Sequence, residues 1–131
     1  MTDDIILVDN NDNQIGTGEK MDVHKKGTLH RAFSIFLWNN KGELMMQQRA
    51  LHKYHTPGLW TNTCCSHPKP GETTLDAASR RLQEEMGITC ELKEEMCVIY
   101  HSKFDNGLIE HEYDHVLFGH YSEPPTINKN E

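Results

Sequence analysis

The chain has 131 residues, a length typical of one domain, since globular units usually contain about 100 to 200 residues. Its 13 lysines and arginines are outnumbered by 20 aspartates and glutamates, and the formal net charge of -7 argues against a nucleic-acid-binding surface. No run approaches the roughly 18 apolar residues of a membrane helix, which excludes a helical membrane protein. The start, Met1-Thr2-Asp3-Asp4, lacks a secretion signal. We therefore expect a cytoplasmic protein whose four cysteines form no disulfide framework.

The first predicted elements are strands. Ile5 to Val8 is a short apolar run that ends in a cluster of Asp and Asn residues, and Gln14 to Gly18 is expected to return antiparallel to it. Ala32 to Trp38 and Leu44 to Gln48 flank the segment Asn39-Asn40-Lys41-Gly42. Turn residues that end in glycine between two apolar runs are typical of a β-hairpin.

The best helix signal follows an extended segment from Leu59 to Cys65. Thr73 is the predicted N-cap, Asp76 supplies the acid three residues later, and Gly87 ends the helix. Apolar residues at helical spacing predict one stripe that lies on a sheet. The stripe consists of Leu75, Ala78, Leu82 and Met86.

Two more strands are predicted after this helix. Cys97 to Tyr100 and Ile109 to Tyr121 surround the turn Asp105-Asn106-Gly107, and residues 122–131 form a polar tail. No repeat or linker divides the chain, so residues 1–131 are expected to form a single domain. Strands on both sides of one main helix indicate an α+β fold with a mixed or antiparallel sheet.

An acidic motif coincides with the predicted helix. Glu72 is followed after seven residues by Arg80-Arg81-Leu82-Gln83-Glu84-Glu85-Met86-Gly87-Ile88. A helix with several carboxylates can present them to a hard divalent cation, which neutralises a diphosphate. We favour a functional role for Glu85, one helical turn from Arg81, and interpret Glu84 as a solvated residue. The segment resembles the Nudix box, with Arg81 in place of an acid and Ser66 in place of a glycine.

A second motif lies just before this box. The segment Trp60-Thr61-Asn62-Thr63-Cys64-Cys65-Ser66-His67-Pro68 resembles the cysteine signature of type I isopentenyl diphosphate isomerases, which have a Nudix-like fold. Their second signature, an E-x-E with a tyrosine ten residues upstream, is matched by Tyr100, Glu110 and Glu112. The resemblance runs from about residue 5 to about residue 121. It also covers Glu19-Lys20, His24, His30, Arg49-Ala50-Leu51 and Lys53.

The resemblance implies a reversible shift of a carbon–carbon double bond, from isopentenyl diphosphate to dimethylallyl diphosphate. An unactivated alkene must be protonated to a tertiary carbocation and then lose a different proton, so the site needs an acid and a base. The resemblance assigns these roles to Cys65 and Glu112, with Tyr100 assisting Glu112. The other cysteines are interpreted as small hydrophobes. They are Cys64, Cys90 and Cys97.

The resemblance also implies two kinds of divalent cation. One is bound tightly by a set of imidazoles and carboxylates that suits Mn²⁺, Zn²⁺ or Mg²⁺. This set is His24, His30, His67, Glu110 and Glu112. The other is a Mg²⁺ that arrives with the substrate and is held by Glu85 and diphosphate oxygens. The diphosphate itself would bind four cationic side chains, Lys20, Arg49, Lys53 and Arg81.

The remaining histidines are expected to be exposed or hydrogen-bonded without a role in the site. They are His52, His55, His101, His111, His115 and His120. Two other functions stay open. A Nudix pyrophosphatase acting on a nucleoside diphosphate derivative would use the acids of the box, but Arg81 opposes it and it leaves Cys65 unexplained. A non-catalytic metal- and diphosphate-binding module is suggested because the chain stops at Glu131, before the C-terminal helices and the tryptophan that cover the site in the isomerase family.

Overall fold

The structure, a computed structural model, describes residues 4–45, 47–48, 60–61 and 63–121. Within these residues the elements follow in this order: β1 (Asp4–Val8), β2 (Gln14–Glu19), α1 (Lys20–Lys26), β3 (His30–Trp38), β4 (Gln47–Gln48), β5 (Trp60–Thr61), β6 (Cys64–Ser66), α2 (Thr74–Met86), β7 (Leu92–Lys103) and β8 (Ile109–His120). In this part of the chain, no helix is long and apolar enough to cross a membrane.

A mixed sheet forms the centre of the molecule. Its strands lie in the order β2-β1-β3-β8-β7, and β6 pairs with β3. The central pair β3 and β8 is parallel, with His30 opposite Glu112, whereas β6 runs antiparallel to β3 with Cys65 opposite Ser34. The short strands β4 and β5 pair with each other in a separate sheet. The predicted α+β class and mixed sheet are therefore confirmed.

Helix α2 begins and ends where its signals predict. The Thr73 hydroxyl accepts a hydrogen bond from the Asp76 amide at 3.1 Å, and Gly87 adopts a left-handed φ of 67°. The helix packs on Phe33, Ile35, Leu37 and Leu117 of the sheet. The predicted stripe is wrong at Leu75, which is 48% exposed. The buried face instead includes Ala77 and Glu85, so it is centred farther around the helix from Leu75 than the predicted stripe.

Helix α1 was not predicted from the sequence. Its seven residues are too few to show an apolar period, since helical periodicity is read over about 11 residues or more. The helix is defined by its ends instead. The Glu19 carboxylate accepts hydrogen bonds from the Met21 and Asp22 amides, and Gly27 has a left-handed φ of 71°. Among its buried residues is His24.

The predicted strands and turns are found with shifted limits. The antiparallel pair β1–β2 is confirmed, and the turn after β3 closes with a bridge between Trp38 and Leu44. Strand β7 begins at Leu92 instead of Cys97 because it pairs with β8 along nearly its whole length. Long-range pairing, which the local sequence does not encode, extended this strand.

Candidate active site

Three imidazoles and one carboxylate converge on one face of the sheet. His24 comes from α1, His30 from β3, His67 from the residue after β6, and Glu112 from β8. Each offers one ligand atom, and these atoms all lie within 4.8 Å of one another. The Glu112 Oε2 atom lies 3.3 Å from His67 Nε2 and 3.6 Å from His30 Nε2. We call these four residues the histidine cluster.

The hydrogen bonds of two imidazoles determine which nitrogen faces the centre of the cluster. His24 Nδ1 lies 2.7 Å from the Lys20 carbonyl oxygen and His30 Nδ1 lies 2.9 Å from the Thr28 carbonyl oxygen. A carbonyl only accepts, so each Nδ1 donates and, in a neutral ring, Nε2 keeps its lone pair. His30 Nε2 is buried and, among the residues that the structure describes, has no hydrogen-bond partner. Such an orphaned nitrogen, fixed by a backbone contact at the other ring nitrogen, is the arrangement of a metal-binding histidine, so the residues present fit a divalent cation.

The electrostatics of the cluster agree with this reading. Burial lowers the pKa of His67 to about 4, and burial also lowers the pKa of His24. Burial alone would raise the pKa of Glu112, but the neighbouring imidazoles of His30 and His67 hold it below its usual range. At neutral pH His24 and His67 therefore present neutral imidazoles beside an anionic Glu112, the protonation states that metal binding requires.

Two other predicted site residues lie beside the cluster. Tyr100 is directly opposite Glu112 in the antiparallel β7–β8 pair, so both side chains are on the same face of the sheet, and Tyr100 is 45% exposed. Glu110 shares that face because it is two residues before Glu112. Among the described residues, Glu110 is not one of the four whose ligand atoms converge.

Cys65 contacts Ser34, which in turn contacts Asp114, and the sequence singled out neither of these polar residues. Its thiol donates toward the Ser34 hydroxyl at 3.6 Å, and Ser34 in turn donates to the Asp114 carboxylate at 2.8 Å. Burial raises the pKa of Asp114 to about 6. Two signals were available: Asp114 continues the alternation of Glu110 and Glu112, and Ser34 is a lone polar residue inside the apolar run of β3.

The neighbouring Cys64 points to the opposite face, because successive side chains of a strand alternate. It is buried, and its thiol donates to Glu85 Oε2 at 3.1 Å. Burial raises the pKa of the Cys64 thiol well above its usual value. Cys64 is thus the buried residue that was predicted, and Cys90 packs against the core. Cys97 is exposed, and the prediction for it is wrong because β7 is the edge strand of the sheet.

The charged residues of the acidic motif pair with one another on α2 and in the segment just before it. Arg81 Nη2 lies 2.9 Å from Glu85 Oε2, and Glu85 is only 6% exposed. Arg80 donates to both oxygens of Glu72 at 2.8 and 2.9 Å. Glu84 is 45% exposed and contacts both arginines, in agreement with its interpretation as a solvated residue.

The remaining predicted anion-binding residues are placed only in part. Lys20 is the first residue of α1 and precedes His24 by one helical turn. Arg49 and Lys53 lie outside the described residues.

Comparison with known proteins gives one family model and a set of curated relatives. Residues 28–131 match the NUDIX domain. The chain is 54% identical over 131 residues to isopentenyl-diphosphate Delta-isomerase 2 of Aromatoleum aromaticum, covering all of this chain and 69% of that protein. It is also 54% identical over 131 residues to isopentenyl-diphosphate Delta-isomerase 2 of Photorhabdus laumondii, of which it covers 74%.

Solved structures agree on the fold. A protein from Deinococcus radiodurans, DR0079, superposes with a TM-score of 0.78 at 21% identity, over 97% of this chain and 77% of that one. The MutT protein of Methanosarcina mazei superposes with a TM-score of 0.64 at 16% identity, over 77% of this chain and 70% of that one. Both likenesses concern the Nudix fold alone, with its curled mixed sheet and two helices.

Proposed function

Because the chain belongs to the isopentenyl-diphosphate Delta-isomerase family and carries a NUDIX domain, we propose that it interconverts isopentenyl diphosphate and dimethylallyl diphosphate. The observation that carries this proposal is the position of Cys65 on the same face of the sheet as the histidine cluster. A Nudix pyrophosphatase has no use for this thiol. In addition, the position at which its box carries an acid is occupied by Arg81, which pairs with Glu85.

The strand order supports an acid and a base on opposite sides of a small alkene. Cys65 lies on β6 and Glu112 on β8, and β3 runs between these two strands. Neighbouring strands are about 4.8 Å apart, so β6 and β8 are separated by about 10 Å. The five-carbon alkene lies between the two side chains and accepts a proton at its terminal carbon. The π electrons form the new C–H bond, which leaves a tertiary carbocation. The electrons of the C–H bond broken on the other side then form the new double bond.

The chain's own residues set the proton positions for these steps. The Cys65 thiol is oriented by Ser34, whose hydroxyl hydrogen is already donated to Asp114. The Ser34 oxygen therefore accepts from the thiol. Tyr100 lies opposite Glu112 on β7, and its hydroxyl would hydrogen-bond to the carboxylate during proton transfer.

We propose that the histidine cluster holds one divalent cation, Mn²⁺, Zn²⁺ or Mg²⁺, with Glu110 as a further ligand. The support is the convergent atoms of His24, His30, His67 and Glu112 and the orphaned Nε2 of His30. When bound, the cation supplies positive charge that orients Glu112 and lowers the proton affinity of its carboxylate.

We also propose that the diphosphate is anchored by Arg81 together with Lys20, Arg49 and Lys53, and that Glu85 binds a Mg²⁺ carried by the substrate. Arg81 forms an ion pair with Glu85, and this proximity supports the proposal that the diphosphate and its Mg²⁺ bind side by side. These contacts exist in both ground and transition states. Arg81→Ala should therefore chiefly raise KM for isopentenyl diphosphate, whereas Lys93→Ala, which removes an equally charged but 80% exposed side chain, should leave KM unchanged.

The decisive experiment incubates the protein with isopentenyl diphosphate, Mg²⁺ and Mn²⁺ and follows the methyl protons of dimethylallyl diphosphate by NMR. We expect isomer to form without phosphate release. Cys65→Ser should abolish turnover, and Cys90→Ser, the same change at a cysteine away from the cluster, should retain it. In a parallel incubation, hydrolysis of a nucleoside diphosphate derivative would instead support a pyrophosphatase. Binding of isopentenyl diphosphate without turnover would support a non-catalytic module.

A further inference from the structure

A second group of side chains with potential metal-ligand atoms lies on the other face of the sheet. Glu94, Cys97 and His115 each offer one ligand atom, and these atoms lie within 4.8 Å of one another. The Cys97 sulfur is 3.4 Å from His115 Nδ1. His115 is three residues after Glu112 on the same strand, so the two side chains point to opposite faces and the group is separate from the histidine cluster.

A β-bulge brings this group together. In a regular strand Glu94 and Cys97, three residues apart, would point to opposite faces. The register between β7 and β8 shifts between Glu94 and Met96, which places Glu94 opposite Leu117 and Cys97 opposite His115. Because Leu117 and His115 are two residues apart and share a face, the bulge turns the carboxylate and the thiol to the same side.

Each ring nitrogen of His115 faces an acidic side chain, Asp12 at Nε2 and Glu94 at Nδ1. Asp12 Oδ2 lies 2.8 Å from His115 Nε2, and Arg31 holds this aspartate by donating to its side chain at 2.8 Å and to its carbonyl at 2.7 Å. The Nε2 atom therefore donates, and in a neutral ring Nδ1 keeps its lone pair. That lone pair faces the Glu94 carboxylate and the Cys97 sulfur. Either a second proton on the ring or a cation between the ligand atoms resolves the repulsion.

We propose that Glu94, Cys97 and His115 form a Zn²⁺ site with water in the fourth position. Zn–S and Zn–N bonds of about 2.3 and 2.0–2.1 Å at a tetrahedral angle separate sulfur from nitrogen by about 3.5 Å, close to the 3.4 Å that is found. A thiolate, an imidazole and a carboxylate together are a set that Zn²⁺ favours. Asp12 provides the carboxylate that orients a zinc-bound histidine.

The chemistry of binding is simple and needs no redox partner. The Cys97 thiol loses its proton to solvent as its sulfur binds the ion, and the Nδ1 lone pair of His115 binds without proton loss. Glu94 is 46% exposed, so its side chain can adjust to the ion. The ion would tie the edge strand β7 to β8 at the bulge. A doubly protonated His115 between Asp12 and Glu94 is the competing explanation, and it gives Cys97 no role.

Cobalt spectroscopy on the full chain distinguishes a zinc site from a doubly protonated His115. Metal-free protein titrated with Co²⁺ should develop a near-ultraviolet sulfur-to-cobalt charge-transfer band from Cys97. The histidine cluster contains no sulfur, so Co²⁺ bound there gives no such band. Cys97→Ser should abolish this band, and Cys65→Ser and Cys90→Ser should keep it. Equilibrium dialysis should show one additional equivalent of Zn²⁺ on the unaltered protein relative to Cys97→Ser. A band that survives in Cys97→Ser, or no band together with equal zinc content in both proteins, would overturn the proposal.

Discussion

Binding of Mn²⁺ to the histidine cluster should raise the melting temperature strongly. The four ligands come from α1, β3, the end of β6 and β8, so the unfolded chain has no equivalent site and the cation stabilises only the folded state. Free Mn²⁺ at 1,000 times its Kd adds about 4.1 kcal/mol to the free energy of unfolding. At about 2.1 cal/mol/K per residue, the 131-residue chain has an unfolding entropy of about 0.28 kcal/mol/K. The expected rise is therefore about 15 °C.

The assay is thermal unfolding followed by circular dichroism, with Mn²⁺ in one sample and a chelator in the other. His67→Gln removes one ligand and should reduce the shift to a few degrees, while His120→Gln, the same change at an exposed histidine, should keep the full shift. Because each shift is measured within one protein, any change that a substitution makes to intrinsic stability cancels. A shift below about 2 °C in the unaltered protein, or an undiminished shift in His67→Gln, would refute the reasoning.

Two further predictions concern the stability of α2 and of the segment before it. Arg80 lowers the pKa of Glu72, so their ion pair stabilises the fold fully above the unfolded value near 4.5 and loses this effect as the pH falls through the folded pKa. Glu72→Gln should cost about 1 kcal/mol at pH 7, since each side chain stays about a quarter exposed, and progressively less below pH 4.5 in urea titrations. Leu82→Ala should lower the free energy of unfolding by about 2–5 kcal/mol in the same measurement. Leu75→Ala, on the exposed side of the same helix, should lower it by less than about 1 kcal/mol. Equal losses would contradict the packing of α2 on the sheet.

The elements that the sequence predicted best are those with local signals at their ends. Helix α2 has an N-cap threonine, a C-terminal glycine and enough turns to show an apolar period, and its limits agree with the prediction. The turns after β3 and β7 were likewise predicted from Asn, Asp and Gly, because a turn depends on the backbone preferences of a few adjacent residues. Helix α1 was missed because its seven residues are too few to show an apolar period, although Gly27 ends it.

The candidate site was predicted in a different way, through motifs that resemble a known family and not through local physics. His24, His30, His67 and Glu112 are spread over nearly 90 positions, and no periodicity connects them. The structure brings their ligand atoms together, and metal binding by these residues stays a prediction. Glu110, from the same motif, lies on the same strand face but outside the converging group.

By itself, the sequence determined the fold class, helix α2, the main turns and the family, since these depend on local preference or on residues in a recognisable order. Only the tertiary structure decided that Ser34 and Asp114 support Cys65, because β3, β6 and β8 must pair in one register before the three side chains meet. The position of Cys97 was likewise decided by strand pairing. Its thiol faces His115 because an edge strand gained one unpaired residue opposite β8, and a bulge of this kind is set by long-range pairing that no short segment encodes.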